Sequence, residues 1–209
     1  MKSSVPIPDN PWPHDMVIRV DENPNNVCLL LFIRSAWGIA SDADVPLLDS
    51  EPGPGNSILP SSGSAEEWSA RWKREWVKAW EWYPLSDLHP RPTSRLLRSL
   101  SRPGQLLHPA LPPFWQAEWG DDGIDGAAFN RWLAALRPDP LVALEEQPER
   151  VCLDALIAAW NAGLETIVTL PYKGYFAERI SARHLVVSDA TRADRESYNR
   201  ALVTPLILN

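Results

Sequence analysis

Tryptophan recurs every four residues between Ser64 and Tyr83, and no other feature constrains the fold as strongly. The four residues are Trp68, Trp72, Trp76 and Trp80. On an α-helix this spacing drifts by roughly 40° per step, so the four indoles share an arc of about 120°. Charged side chains occupy the remaining arc. The pattern predicts an amphipathic helix with a bulky apolar face.

Both ends of this helix are marked in the sequence. Ser64 and Glu67 have the spacing of a capping box, in which each side chain accepts a hydrogen bond from the other residue's backbone N–H. Pro84 is predicted to end the helix. We expect the tryptophan face to pack in the core, against the sheet or the helix at 149–162, with one or two indoles partly exposed. The alternative is an exposed face that stacks on a sugar, a base or a partner.

The N-terminal part of the sequence is predicted to form an extended arm followed by two strands. Residues 1–15 contain four prolines and are expected to form the arm. Met16–Val20 and Val27–Ile33 have strand composition, and the segment 21–26 between them is rich in turn-forming residues. An antiparallel hairpin is therefore expected. The continuously apolar second run predicts a central strand covered on both faces.

The middle of the chain is rich in proline and glycine. Residues 40–63 read as one long loop. A short helix is expected at 94–101. A second helix is expected from Asp125, its cap, to Arg137, with apolar residues spaced i, i+3, i+4 and i+7.

The C-terminal third alternates helices and strands. Helices are expected at 149–162, where nearly all sides look apolar, and at 191–202. Strands are expected at 165–170 and 184–187, with a short helix at 174–180 between them. This alternation predicts an α/β fold with a mixed sheet of about four strands, helices on its faces and long Pro-rich loops. An α+β arrangement is the alternative, and residues 16–209 are expected to form a single domain.

Composition and charge exclude some classes of function. The net charge is −7 and the pI is about 5.1, which argues against nucleic acid as a partner, since binding phosphates needs a basic face. The two cysteines, Cys28 and Cys152, lie in apolar contexts and read as buried thiols, so a cytoplasmic location is expected. The start of the chain does not resemble a signal peptide, and no apolar run is long enough to span a membrane. Arginine outnumbers lysine by 16 to 4, a bias that favours a bacterial source.

The first candidate site is formed by the loops that follow the two C-terminal strands. Ligands of open α/β sheets gather at the carboxyl ends of strands. Lys173 and Arg192 would neutralise an anionic ligand there, with Ser188 or Asp189 orienting it. The structural alternative is that Thr191 caps a helix and Lys173 is simply solvated. No known phosphate-binding or nucleophile motif accompanies these residues.

The second candidate is an arginine face on the helix predicted at 94–101. Arg95, Arg98 and Arg102 share one side and would contact an acidic protein partner or the acidic segment 109–150 of the same chain, although such arginines are usually only solvated. The segment 121–126 resembles a calcium loop but departs from its register. Neither a metal site, a cofactor nor a catalytic residue is predicted.

Two classes of function remain at this point. The first is a non-enzymatic interaction or regulatory subunit that binds a protein partner, favoured by the uneven charge and the long loops. The second is a small-molecule enzyme or binder that holds an anionic ligand through Lys173, Ser188, Asp189 and Arg192. Binding that is lost on replacing Lys173 and Arg192, with little change in melting temperature, would favour the second class.

Overall fold

The structure is a computed structural model, and it describes residues 10–86, 111–137 and 141–205. The chain divides into two compact units. The sheet unit comprises residues 1–24, 45–51 and 135–209, and the tryptophan unit comprises residues 25–44 and 52–134. The extended arm at 1–15 and the single domain over 16–209 stay predictions.

A four-stranded mixed sheet organises the sheet unit. Its strands are β1 (Arg19–Glu22), β2 (Thr166–Leu170), β3 (Ala177–Arg179) and β4 (His184–Ser188), in the order β1-β2-β4-β3. The first three strands in this order are parallel, and β3 runs antiparallel to β4. The predicted mixed sheet with helices is thus confirmed.

Helices build the tryptophan unit. They are α1 (Asn25–Trp37), α2 (Ala65–Ser86), α3 (Trp115–Trp119) and α4 (Gly126–Ala135), whose last residue falls at the boundary of the two units. The long connection from 40 to 63 contains no helix and contributes only an isolated bridge at Leu48, as its proline and glycine content predicts. Asp125 caps α4 as predicted, since its Oδ1 accepts hydrogen bonds from the backbone N–H groups of Ala127 and Ala128.

The strand predicted at Val27–Ile33 is wrong, because this run forms the middle of α1. Every residue from Asn26 to Ile33 is buried. A helix buried on all sides lacks the polar stripe that reveals its period, so it looks like a central strand. The predicted hairpin is wrong for the same reason, and the strand expected at Met16–Val20 is observed three residues later, as β1.

The tryptophan helix is confirmed, together with its capping box. Ser64 N–H donates to Glu67 Oε2 at 2.8 Å, and Glu67 N–H donates to Ser64 Oγ at 3.2 Å. The helix continues past Pro84 to Ser86, so the predicted end was two residues early. Within its unit, α2 packs on α1, where the indole of Trp72 donates to the carbonyl of Leu30 at 2.7 Å.

Shorter helices than predicted complete the sheet unit. A 3-10 turn at Leu144–Glu146 precedes α5 (Pro148–Val151), α6 (Leu153–Asn161), α7 (Asp189–Ala193) and α8 (Arg195–Leu202). The helix predicted at 149–162 breaks at Cys152 and is buried on one side only, and the helix predicted at 191–202 breaks at Asp194, which caps α8. The helix predicted at 174–180 is wrong, since residues 177–179 form β3.

The core of the sheet unit is aliphatic. Ile167 of β2 and Leu185 and Val187 of β4 pack with residues of α6 and α8. Cys28 and Cys152 are buried thiols, as their apolar contexts predict. In the part of the chain that the structure describes, no helix is long and apolar enough to cross a membrane. The helix predicted at 94–101 lies outside the described residues.

Candidate functional site

Polar residues gather where the three parallel strands of the sheet unit end. Glu22 closes β1, Thr169 lies one residue before the end of β2, and Ser188 closes β4. Glu22 pairs directly with Thr169 in the ladder, so these strand ends are neighbours. This edge is the usual position of ligand sites in open α/β sheets.

Asn23 turns the chain out of the sheet at this edge with a left-handed backbone, φ 46°. Its side-chain Nδ2 donates to Asp189 Oδ2 at 3.1 Å and to the carbonyl of Leu136 at 3.4 Å. Because both partners are acceptors, the orientation of the amide is fixed. Its Oδ1 is buried and has no hydrogen-bond partner within the described parts of the chain.

Asp189 is half-buried beside this amide. Burial raises the pKa of its carboxyl group, and the Asn23 amide and the Thr169 hydroxyl beside it only partly offset this. Thr169 is itself completely buried, and its Oγ1 makes no hydrogen bond of good geometry to any residue that the structure describes. Two unsatisfied polar atoms therefore lie next to a carboxylate whose charged form is disfavoured. A buried polar group without a partner costs roughly 1–3 kcal/mol, so such groups call for a functional explanation.

The guanidinium of Arg192 is engaged by two carboxylates. It meets both oxygens of Glu149 at 2.8 and 2.9 Å, and it donates to Glu22 Oε1 at 2.8 Å. Tyr198 donates its hydroxyl to Glu149 Oε1 at 2.9 Å. The network joins β1, α5, α7 and α8, and so it holds three helices at this edge.

Burial and ion pairing have opposite effects on the pKa of Glu149 in this network. Burial alone would raise the pKa of Glu149, but the hydrogen bonds and the charge of Arg192 outweigh it and lower that pKa. Burial and the neighbouring Glu149 raise the pKa of Tyr198 well above its ordinary value. Glu149 is therefore ionised and Tyr198 is neutral near pH 7.

The four ligand residues predicted from the sequence differ in their surroundings. Ser188 is the cap of α7: its Oγ accepts from the backbone N–H of Thr191 at 3.0 Å and donates to the carbonyl of Gly174 at 2.6 Å. Asp189 and Arg192 lie on α7 at the sheet edge. Lys173 is exposed in the loop that the Ser188–Gly174 bond ties to this edge.

Sequence reasoning missed several residues of the cluster. Asn23 was assigned to a hairpin turn, and Thr169 was only one residue of an apolar strand. Glu149 and Tyr198 were assigned to helices without a polar role. An acidic residue that starts an otherwise apolar helix was the available signal for Glu149. Arg95, Arg98 and Arg102 lie outside the described residues.

Two other unsatisfied side-chain atoms and the acidic loop complete the survey. In the tryptophan unit, Asn26 Nδ2 and Glu75 Oε2 are buried without hydrogen-bond partners among the residues that the structure describes. Asp125, in the loop that resembled a calcium site, accepts three backbone hydrogen bonds, from Asn56, Ala127 and Ala128. Within residues 10–86, 111–137 and 141–205, no three His, Cys, Asp or Glu side chains are grouped to hold a metal ion.

Known proteins offer no further guide to this site. The chain matches no protein-family model, and it has no significant match among curated proteins or solved structures.

Proposed function

We propose that the sheet unit binds a small, polar ligand rich in hydrogen-bond donors at the carboxyl edge of its parallel strands. The observation that carries this proposal is the pair of buried, unsatisfied atoms beside Asp189, namely Asn23 Oδ1 and Thr169 Oγ1. The carboxylate and the amide oxygen only accept hydrogen bonds, and the hydroxyl both donates and accepts. A hydroxyl or ammonium group is the chemistry that complements them.

The charges at this edge favour a neutral or cationic ligand over an anion. The cluster of described residues at this edge includes three carboxylates, on Glu22, Glu149 and Asp189, and one guanidinium, on Arg192. That guanidinium already has two carboxylate partners, so an incoming phosphate would compete with them. The anionic ligand expected from the sequence remains the alternative, and it would depend mainly on the exposed Lys173.

The energetics of the site also support binding. A left-handed Asn, two unpaired polar atoms and a carboxylate with a raised pKa each cost free energy in the unliganded fold. Residues that lower stability in this way are typical of sites whose contacts are completed by a ligand. The neighbouring Arg192–Glu149–Tyr198 network is fully paired and would keep this edge rigid.

Thermal shift assays with defined ligand classes test the proposal. The full-length chain is screened against primary amines, polyols and nucleosides, with inorganic phosphate as the anionic comparator. A donor-rich compound is expected to raise the melting temperature of the wild type. Thr169→Val and Asp189→Asn should each weaken that binding at least tenfold, because they remove an unsatisfied hydroxyl and a carboxylate without changing the shape of the site.

The matched control is Asp154→Asn, which makes the same change at an exposed position of α6. It should bind like the wild type. If only phosphate binds, and Lys173→Ala abolishes its binding while Thr169→Val does not, the anionic ligand is the correct alternative. Equal binding by Thr169→Val, Asp189→Asn and the wild type would refute the donor-rich site.

The second candidate is an interaction subunit, and one observation favours it. Trp76 and Trp80 on α2 are only half-buried and continue an aromatic row from Trp72 to Tyr83, with ring centroids 5.1 to 5.9 Å apart. Half-exposed tryptophans are enriched at protein interfaces. Native mass spectrometry of protein gently purified from its own host tests this function, since a defined heteromeric mass would support it and identify the partner.

A further inference from the structure

A cavity of about 390 Å³, open to solvent beside the exposed Ala158, Ala162 and Val203, lies in the sheet unit, away from the polar edge. Ala162 and Ala182 line it, just ahead of β2 and β4, so it is at the amino ends of the parallel strands. The remaining lining residues are Ala158, Ala159, Arg179, Leu202, Val203, Thr204 and Pro205. Its volume falls within the range of about 300–1,000 Å³ that is usual for small-molecule sites.

The wall of this cavity is mostly alanine and aliphatic carbon. Ala158, Ala159 and Ala162 come from one side of α6 and the turn that follows it, and Leu202 comes from the end of α8. Small side chains at these positions leave the space unfilled. An apolar cavity of this kind gains free energy by taking up an aliphatic group, at roughly 25 cal/mol per Å² of buried apolar surface.

Among the described residues that line the cavity, Arg179 is the one that is charged. Its guanidinium donates to the backbone carbonyls of Ser181 and Ala182. These two bonds leave three of its five N–H groups available. Among the described residues it has no carboxylate partner. Burial lowers its pKa.

We propose that this cavity binds a small amphiphilic carboxylate, whose aliphatic chain lies against the alanine wall and whose carboxylate meets the guanidinium of Arg179. A half-buried cation without a counter-ion is costly, and a carboxylate supplies the missing charge in the bidentate geometry that arginine favours. The site is separate from the polar edge near Asp189, so either one can be lost without the other.

Titration calorimetry with octanoate on the full-length chain tests the proposal. The wild type should bind saturably, and it should bind 1-octanol, which has a similar chain but no charge, at least tenfold more weakly. Arg179→Gln should weaken octanoate binding at least tenfold. Arg183→Gln is the matched control, because Arg183 is an exposed neighbour whose charge is paired with the exposed Glu165, and it should bind like the wild type.

A second variant does not disturb the hydrogen bonds of Arg179. Ala158 is an exposed helical residue on the rim, so Ala158→Leu should fold normally and should weaken both ligands by occupying the cavity. Absence of saturable octanoate binding would overturn the proposal, as would equal losses in Arg179→Gln and Arg183→Gln. Unchanged binding in Ala158→Leu would also overturn it, because the chain would then lie elsewhere.

Discussion

The two units of this protein satisfy their polar groups in different ways. In the sheet unit, the strands pair their own backbones, and polar side chains concentrate at one edge of an aliphatic core. In the tryptophan unit, much of the core is aromatic, and several buried indoles donate hydrogen bonds to backbone carbonyls. Hydrogen bonds between strand backbones therefore fix the arrangement of the sheet unit, whereas hydrogen bonds from side-chain donors fix much of the tryptophan unit.

Three indoles in the tryptophan unit illustrate this use of side chains. Trp37, Trp68 and Trp72 donate their Nε1–H groups to the backbone carbonyls of Gly123, Pro60 and Leu30, at 2.9, 3.2 and 2.7 Å. Two of these carbonyls belong to irregular segments, which have no ladder of their own. A buried indole must find an acceptor, so each of these tryptophans also fixes the loop that supplies it.

The unsatisfied atoms sharpen the comparison. Among the described residues, each unit contains two, but those of the tryptophan unit belong to separate helices, α1 and α2. Those of the sheet unit, on Asn23 and Thr169, adjoin one carboxylate at one edge. A candidate site is distinguished by unpaired atoms that lie beside the same carboxylate, rather than by the presence of unpaired atoms alone.

The largest effect is expected at the centre of the aromatic core. Trp72 is 0% exposed, so Trp72→Ala should lower the free energy of unfolding by about 3–5 kcal/mol. Trp76 is half-buried, and Trp76→Ala should cost only about 1–2 kcal/mol. Urea denaturation measures both. Equal losses would contradict the graded burial along α2, and a loss below ~1 kcal/mol at Trp72 would remove it from the core.

The next largest effect concerns the buried ion pair of the sheet unit. Glu149→Gln leaves Arg192 with only Glu22 as an anionic partner and should cost about 3 kcal/mol at pH 7, since breaking a buried pair strands a charge. Glu165→Gln, which breaks the exposed pair with Arg183, should cost at most about 0.5 kcal/mol. Urea denaturation measures both losses. Comparable losses in the two variants would mean that the buried network contributes no more to stability than the exposed pair.

The same network predicts a pH dependence. Because the pKa of Glu149 is lowered in the folded state from its ordinary value of 4.5, its stabilisation is present above that value and is lost as the pH falls through the folded-state pKa. The wild type should therefore lose more stability between pH 5 and acid than Glu149→Gln does. Parallel profiles for the two proteins would argue against this assignment.

A smaller effect tests how the loops of the tryptophan unit are held. Gly123 has φ +73°, and a Cβ there would collide with the carbonyl oxygen of Ile58. Gly38 has a similar φ of +63° in open space. Gly38→Ala should cost about 1–2 kcal/mol from backbone strain alone, and Gly123→Ala should cost about 1–3 kcal/mol more. Equal melting temperatures in the two variants would show that the loops do not press together at Gly123.

The smallest effect has the opposite sign. Burial raises the pKa of Asp189 above its ordinary value of 3.8, so the ionised carboxylate destabilises the fold above that pH. Asp189→Asn should raise stability by about 0.5–1 kcal/mol at pH 7, and the gain should vanish below pH 3.8, where both proteins are neutral at this position. Asp154→Asn should have no such effect, and a loss of stability in Asp189→Asn would identify Asp189 as a structural residue.

The sequence predicts best those features that depend on neighbouring residues. The capping box of Ser64 and Glu67, the Asp125 cap and strands β2 and β4 were all confirmed. Each depends on chemistry within a few residues, such as a side-chain acceptor three positions from a free N–H. The amphipathic pattern of α2 was also sufficient, since its polar side reveals the helical period.

Features decided by distant packing were predicted poorly. The run from Val27 to Ile33 has no polar position, so helix and strand are equally compatible with it until its neighbours are known. Within the helix predicted at 174–180, residues 177–179 instead form a strand that pairs with β4, and no local sequence pattern indicates this pairing. Ser188, Asp189 and Arg192 were found from the rule for strand ends, whereas Asn23 and Glu149 join them only through contacts across more than forty residues of chain.

The pairing of β1 has a consequence for the order in which this chain folds during synthesis. β1 lies near the beginning of the sequence, but its partner strand starts only at Thr166. The whole tryptophan unit, through residue 134, leaves the ribosome before that partner does. We expect the tryptophan unit to fold first, while β1 stays unpaired until β2 has been synthesised, so β1 is open to non-native association during this interval.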